Sequence, residues 1–387
     1  MSNLNPAVEA KLQPPWDDPQ HVRDVRHQLG ASPPLVTLAD VELLRRDLAQ
    51  VAAGRAKVIQ AGDCAEDPAD ANATGVARRV GLIEMLAGVL RMIARRPVVA
   101  TGRMAGQFGK PRSKPTQQVG DRELPVYRGH MVNGPEPDLR ARRPDPDRLI
   151  TGYDAARRVM AHLGWTDRPT PLAGDLPVWT SHEALLLDYE IPMVREQDDG
   201  RLLLTSTHWP WIGERTRHAD GAHMDLLAKV LNPVACKVGP TATPEEVLAI
   251  CARLDPAQEP GRLTLIARMG ADAVGDVLPP LAAAVREAGY PVIWLCDPMH
   301  ANTTVSPEGL KTRFVDTIVE ETAAFQEAVS RAGAVAGGLH LETATEDVTE
   351  CVACETDVGQ VGDKYTSLCD PRLNPGQALR VVSAWTG

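Results

Sequence analysis

Short apolar runs alternate with helically spaced segments along nearly the whole of this chain, and that alternation limits the fold more than any other feature. The first run, "KVIQAGDC", is followed by "NATGVARRVGLIEMLAGVLRMIARR", a long amphipathic helix by its spacing. Further runs stand at "PVVATGRM", "LLLTSTHWPWIGER", "VACKVG", "LTLIARMG", "VIWLCDPMH", "GGLHLE" and "YTSLCD". Helical segments fall between them. In "TPEEVLAICARL", Thr243, Pro244 and Glu246 sit as cap, first-turn proline and capping-box acid. Ahead of the first run, "TLADVELLRRDLAQVAAG" reads as a helix with Thr37 as its cap and Gly54 as its stop. About eight strand-then-helix units result, the number that closes a (β/α)8 barrel. An open doubly wound sheet shares the alternation, but no GxGxxG turn follows the first strand. The expected fold class is therefore α/β, a (β/α)8 TIM barrel with an N-terminal extension and inserted loops. Residues 1–35, rich in proline and polar groups, read as an N-terminal arm, and residues 36–387 as the barrel catalytic domain. The charged, Pro-rich "NGPEPDLRARRPDPDR" reads as a surface loop inserted after the second strand.

The 387 residues suffice for one such barrel, which needs about 250 plus insertions. Hydrophobic residues make up 43% and aromatic ones 4%, so the core must rest on Leu, Val, Ile and Ala. No apolar run approaches the ~20 residues that cross a bilayer, and "MSNLNPAVEAKLQPPWDDP" lacks a secretory pattern, so the expected location is the cytoplasm. Seven cysteines, an odd number scattered through a long chain, read as reduced thiols rather than a disulfide framework. A formal net charge of -10 argues against nucleic acid as a partner. Any anionic substrate must be held by a local cluster of cations.

In a barrel, side chains at the C-terminal ends of the strands converge on one mouth. The residues at or just past the apolar runs are Cys64, Arg103, Glu214, Arg215, Lys237, Arg268, His300, Glu342 and Asp370, none of them apolar. A lone histidine at a strand end, such as the one closing "VIWLCDPMH", is ordinarily a hydrogen-bonded bystander; its company decides otherwise. Cys64, His300, Glu342 and Asp370 offer a thiolate, an imidazole and two carboxylates, a set suited to manganese, cobalt, iron or zinc rather than magnesium. Arg103, Arg215, Lys237 and Arg268 are four cations aimed at one cavity, which calls for a dense anion such as a phosphate. The stretch "GKPRSKP", with Lys110, Pro111, Arg112 and Ser113, follows the second strand and suits a second phosphate. Taken alone, it would be an exposed basic loop. "CVAC", with Cys351 and Cys354, has no second CxxC and reads as ordinary helical cysteines.

These stretches resemble the type II (class II) 3-deoxy-D-arabino-heptulosonate 7-phosphate (DAHP) synthase family, which opens the shikimate pathway. The resemblance runs through "QAGDCAE", "GRMAGQFGKPRS", "YRGHMVNGPEPD", "SHEALLLDYE", "WIGERTRHADGAH", "NPVACKVGP", "GRLTLIARMG", "CDPMHANT", "GGLHLE" and "CDPRLN". It implies a metal-dependent barrel, with Mn2+ the expected ion and Co2+ an alternative, that condenses phosphoenolpyruvate with erythrose 4-phosphate. By the resemblance, the metal ligands are Cys64, His300, Glu342 and Asp370. The phosphoenolpyruvate contacts are Arg103, Glu214, Arg215, Lys237 and Arg268, with Trp211 beside them. Lys110, Pro111, Arg112 and Ser113 fall at the erythrose 4-phosphate site, and Lys237, Glu214 and Arg103 are the expected catalytic residues. A homodimer is implied; a chorismate mutase partner, known for some relatives, has no visible docking signal here.

One departure stands out. Only "TDRPTPLAGDLPVWT" separates "TGYDAARRVMAHLGW" from "SHEALLLDYE", where larger relatives carry helices that build inhibitor sites. A short form with little feedback inhibition by Phe, Tyr or Trp is expected, serving secondary metabolism. An amino-DAHP synthase using a nitrogen-bearing analogue of erythrose 4-phosphate is the alternative enzyme. A silent barrel that only binds a phosphorylated metabolite would be expected to lose part of the metal or cation set, and both are intact. Cys369 precedes Asp370, so its sulfur is expected to approach Cys64 and could close an inactivating disulfide.

Overall fold

Eight short segments, almost every residue of them buried, form the parallel strands of a closed barrel in sequential order. They are β1 (Lys57–Gly62), β2 (Val98–Arg103), β3 (Trp179–Glu183), β4 (Trp209–Ile212), β5 (Val234–Val238), β6 (Leu263–Ala267), β7 (Ile293–Cys296) and β8 (Ala336–Glu342). The structure is a computed structural model, which describes Val8, residues 10–166 and residues 178–386. Strands covered on both faces need apolar residues at successive positions, which is why they read as continuous runs. Register carries the site: Gly62 pairs with Arg103 on one side and Glu342 on the other, so all three reach the rim at one level.

Helices cover the outside: α1 (Pro19–Ala31), α2 (Leu38–Ala52), α3 (Ala73–Ala94), α4 (Asp147–His162), α5 (Ala222–Lys229), α6 (Pro244–Leu254), α7 (Ala271–Glu287), α8 (Val315–Arg331) and α9 (Pro375–Ser383). The expected caps are present: Thr37 with Asp40 on α2 and Thr243 with Glu246 on α6 each form a reciprocal capping box. Within the N-terminal segment, α1 buries Val22, Val25 and Leu29 and packs on α4. α2 closes the bottom of the barrel, where Leu44, Leu48 and Val51 join Val58, Val99, Trp179, Trp209 and Ile293 in the interior core. Full burial of each of the three contributes roughly 1.5–3 kcal/mol.

Three local expectations are corrected. "YTSLCD" forms no strand; the described residues 365–370 are loop, and the remaining barrel strand is β3, in "VWTSHE". "LLLTSTHWPWIGER" is two elements, since Leu202–Leu204 pairs antiparallel with Val194–Glu196 and only Trp209–Ile212 enters the barrel. That hairpin and the short helix Leu187–Glu190 stand where the other units carry a long crossover helix. Cys351 and Cys354 lie in a loop before a 3-10 turn rather than in a helix.

No helix among the described residues is long and apolar enough to cross a membrane. The segment expected to lack inhibitor-site helices falls largely on residues 167–177, which lie outside the described residues.

Candidate active site at the barrel mouth

A cavity of about 580 Å³ opens at the C-terminal ends of the strands. It is lined by nine cationic residues, Arg103, Lys110, Arg112, Lys114, Arg215, Lys237, Arg268, Lys311 and Arg313, against the carboxylates of Glu183, Glu214 and Asp370. In a chain of net charge -10 this is a local inversion of sign, and it focuses the field on an anion. Pro111, Ser113 and Trp211 also line it, so the "KPRS" stretch faces the same space as the strand-end cations. Glu66 fixes the loop leading there: its buried carboxylate accepts the N–H groups of Ala105, Gly106 and Gln107 at 3.1, 3.0 and 2.8 Å.

At the cavity floor, charges are paired in a chain. Lys237 Nζ donates to Asp297 Oδ2 at 2.8 Å, and Asp297 holds His300 Nδ1 at 2.8 Å. That contact leaves His300 Nε2 toward Glu342 Oε1, 3.2 Å away. Arg103 Nη2 donates to the same Glu342 oxygen at 2.9 Å, while Arg313 Nη1 donates to Oε2 at 3.0 Å. Burial alone would raise the Glu342 carboxyl; His300, Lys110, Arg313 and Arg103 together hold it well below the ordinary carboxylate range. Asp297 is likewise held well below its usual value, since His300 and Lys237 outweigh its burial. Burial pushes the Lys237 ammonium down, with Asp297 opposing and Arg103 adding to the effect. The Trp211 ring lies 5.3 Å from the Arg103 guanidinium and 5.9 Å from Lys237 Nζ, an apolar wall that keeps both cations poorly hydrated.

His300, Glu342 and Asp370 present ligand atoms that all lie within 4.8 Å of one another. Two bonds of about 2.2 Å to one ion span a little less than that, and an imidazole with two carboxylates suits a divalent cation. Asp370 is held by Lys110 at 2.9 Å and Lys311 at 2.8 Å. Cys64 stands outside this close group of three. The neighbouring Cys369 lowers its thiol to about 6 and is itself pushed up by that neighbour. No disulfide joins the two.

The strand-end residues read from sequence therefore meet at one mouth, with Arg215 and Arg268 on the cavity wall and Arg268 donating to the His300 carbonyl at 2.8 Å. Glu214 also lines the cavity, and its Oε2 is buried without a hydrogen-bond partner among the described residues. Sequence reasoning missed Asp297, Lys311 and Arg313. Asp297 lies inside "CDPMH", three residues before His300, a spacing that could have marked it as the group orienting the imidazole. Lys311 lies in a two-stranded hairpin, Thr304–Val305 with Lys311–Thr312, that carries no apolar pattern, and Arg313 directly follows it.

Fold and site together define a (β/α)8 barrel whose mouth gathers cations beside three side chains that could hold a metal ion. The sequence matches the Class-II DAHP synthetase family over residues 4–168 and 155–384. It is 56% identical over 379 residues to the "Probable phospho-2-dehydro-3-deoxyheptonate aldolase" of Pseudomonas fluorescens, covering 97% of this chain and 94% of that protein. It is 39% identical over 430 residues to the phospho-2-dehydro-3-deoxyheptonate aldolase AroG of Mycolicibacterium smegmatis, covering 97% of this chain and 91% of that protein. A phospho-2-dehydro-3-deoxyheptonate aldolase from Francisella tularensis SCHU S4, 14% identical with a TM-score of 0.56 over 98% of each chain, shares the fold. The chain belongs to the class II DAHP synthetase family.

Proposed function

We propose that this enzyme condenses phosphoenolpyruvate with erythrose 4-phosphate and water, giving DAHP and inorganic phosphate. The observation that carries the reading is the meeting, at one cavity, of a dense cation cluster with His300 and Asp370, whose ligand atoms lie close to one another and to that of Glu342. Arg103, Arg215, Lys237 and Arg268 hold the phosphate and carboxylate of phosphoenolpyruvate. Lys110, Pro111, Arg112 and Ser113 take the phosphate of erythrose 4-phosphate. Anchoring both anions turns a bimolecular encounter into an oriented one. C3 of phosphoenolpyruvate then bonds to the aldehyde carbon, whose oxygen takes up a proton; water adds at C2, and cleavage of the C2–O bond releases phosphate. We assign the water to Glu214 and Lys237. The buried, unpartnered Glu214 oxygen supports this role, since it can accept a proton as water attacks.

His300, Glu342 and Asp370, with Cys64 as a fourth donor, would hold a divalent cation, for which we propose manganese. Such an ion supplies Lewis acidity to the aldehyde oxygen. Asp297 keeps the His300 ring oriented, and Arg103 and Arg313 keep the Glu342 carboxylate ionised. His300→Ala is expected to lose turnover and bound metal together, by elemental analysis alongside phosphate release. A variant that keeps both would defeat the assignment.

A further inference from the structure

Asp370 arrives at the mouth on a loop, so something other than a strand ladder must hold it. From Leu373 onward the chain is fixed beside the end of β8, where Leu373 N–H donates to Glu342 O at 3.0 Å. Before that point the anchor is Glu350. This carboxylate is fully buried and does not line the cavity. One oxygen accepts the backbone N–H of Thr366 at 3.0 Å, that of Ser367 at 2.7 Å and Arg372 Nη2 at 2.8 Å. The other accepts the Arg372 backbone N–H at 2.8 Å and its Nε at 3.0 Å. Both ends of the loop 366–372 thus close on one side chain.

Two relays lead from there to the site. The Ser367 hydroxyl donates to the Asp370 carbonyl at 2.7 Å, accepts the Cys369 N–H at 3.2 Å and lies 3.4 Å from Cys64 Sγ. Arg372 continues to Asp63, donating at 2.7 Å to the residue that precedes Cys64. One buried acid is therefore tied to both loops, the one carrying Asp370 and the one carrying Cys64. Removing an acceptor here leaves part-buried N–H groups unpaired, a cost the loop can relieve by moving.

We propose that Glu350 is a positioning residue for divalent-cation binding, setting through Ser367 and Arg372 where Asp370 and Cys64 stand relative to His300 and Glu342. The inference rests on the metal reading above. Glu350→Gln keeps the size of the side chain but turns one acceptor into a donor facing N–H groups.

The test is Mn2+ titration of the purified, metal-stripped protein by calorimetry, with phosphoenolpyruvate affinity measured on the same samples. Glu350→Gln and Ser367→Ala are expected to weaken Mn2+ binding about 10- to 100-fold, while phosphoenolpyruvate affinity changes less than about threefold. Asp370→Asn serves as the reference. If it weakens Mn2+ binding and the Glu350 and Ser367 variants do not, the proposal is overturned. If Asp370→Asn itself binds Mn2+ like the parent, the metal reading falls instead. Should Glu350→Gln fail to fold, Ser367→Ala decides, because it removes only a half-buried hydroxyl of the same relay: weakened Mn2+ binding supports the proposal, and unchanged binding overturns it.

Discussion

Glu342 is ringed by Arg103, Lys110, His300 and Arg313, and the site's residue chemistry follows from that crowding. Each charge there is buried beside an opposite one, so removing a single partner strands the rest. Glu321 shows the contrary case. It is fully buried, and its partners are the N–H groups of Met269 and Gly270 and the Asn302 amide, with no cation among them. Burial pushes its carboxyl up to about 7. A raised carboxyl means the folded state holds its proton more tightly than the unfolded state. Its stabilising contribution is therefore present at low pH and is lost as pH rises from about 4.5 toward about 7. Denaturant titrations are expected to show the parent losing stability relative to Glu321→Gln across that window, by roughly 3 kcal/mol in all; parallel pH profiles would contradict this. Such residues mark the limit of sequence reading. Arg103 and Lys237 were visible because they interrupt or end apolar runs, whereas Arg313, Glu321 and Glu350 owe their roles to partners distant in the chain.

Strands and loops were legible to the degree that burial imposed a pattern. β1, β5 and β6 are covered on both faces and read as apolar runs. β3 is buried too, yet its Thr180, Ser181 and His182 find buried polar partners, His208, Gln60 and Glu190, so its polar sequence hid it. "YTSLCD" erred the other way, with apolar residues serving a clamped loop. One strand position can be tested directly. Gly338 has φ +149° and pairs with Val58 where β8 closes on β1. A β-carbon there would stand 1.9 Å from the Val58 carbonyl oxygen. Gly338→Ala must separate the strands at the barrel seam, and a loss of about 2–4 kcal/mol is expected in urea unfolding. An unchanged midpoint would mean that the seam yields without cost.

At the scale of the whole molecule, alternation of strand and helix brought distant segments to one mouth. The eightfold count was readable even though two of its members were misplaced, because closure depends on the number of units more than on their bounds. From the short stretch of sequence between α4 and β3 we propose a form with little aromatic feedback. Phe, Tyr and Trp, singly and together at millimolar concentration, are expected to leave activity within about twofold of the control. Strong inhibition by any of them would contradict this.

The most direct measurement is stoichiometric. Purified enzyme is stripped with chelator, then supplied with phosphoenolpyruvate, erythrose 4-phosphate and Mn2+, and phosphate and the seven-carbon product are counted together. One phosphate per product is expected, with no turnover in chelator or without erythrose 4-phosphate, and recovery on adding Mn2+. Phosphate release that ignores erythrose 4-phosphate, or turnover that survives chelation, would contradict this.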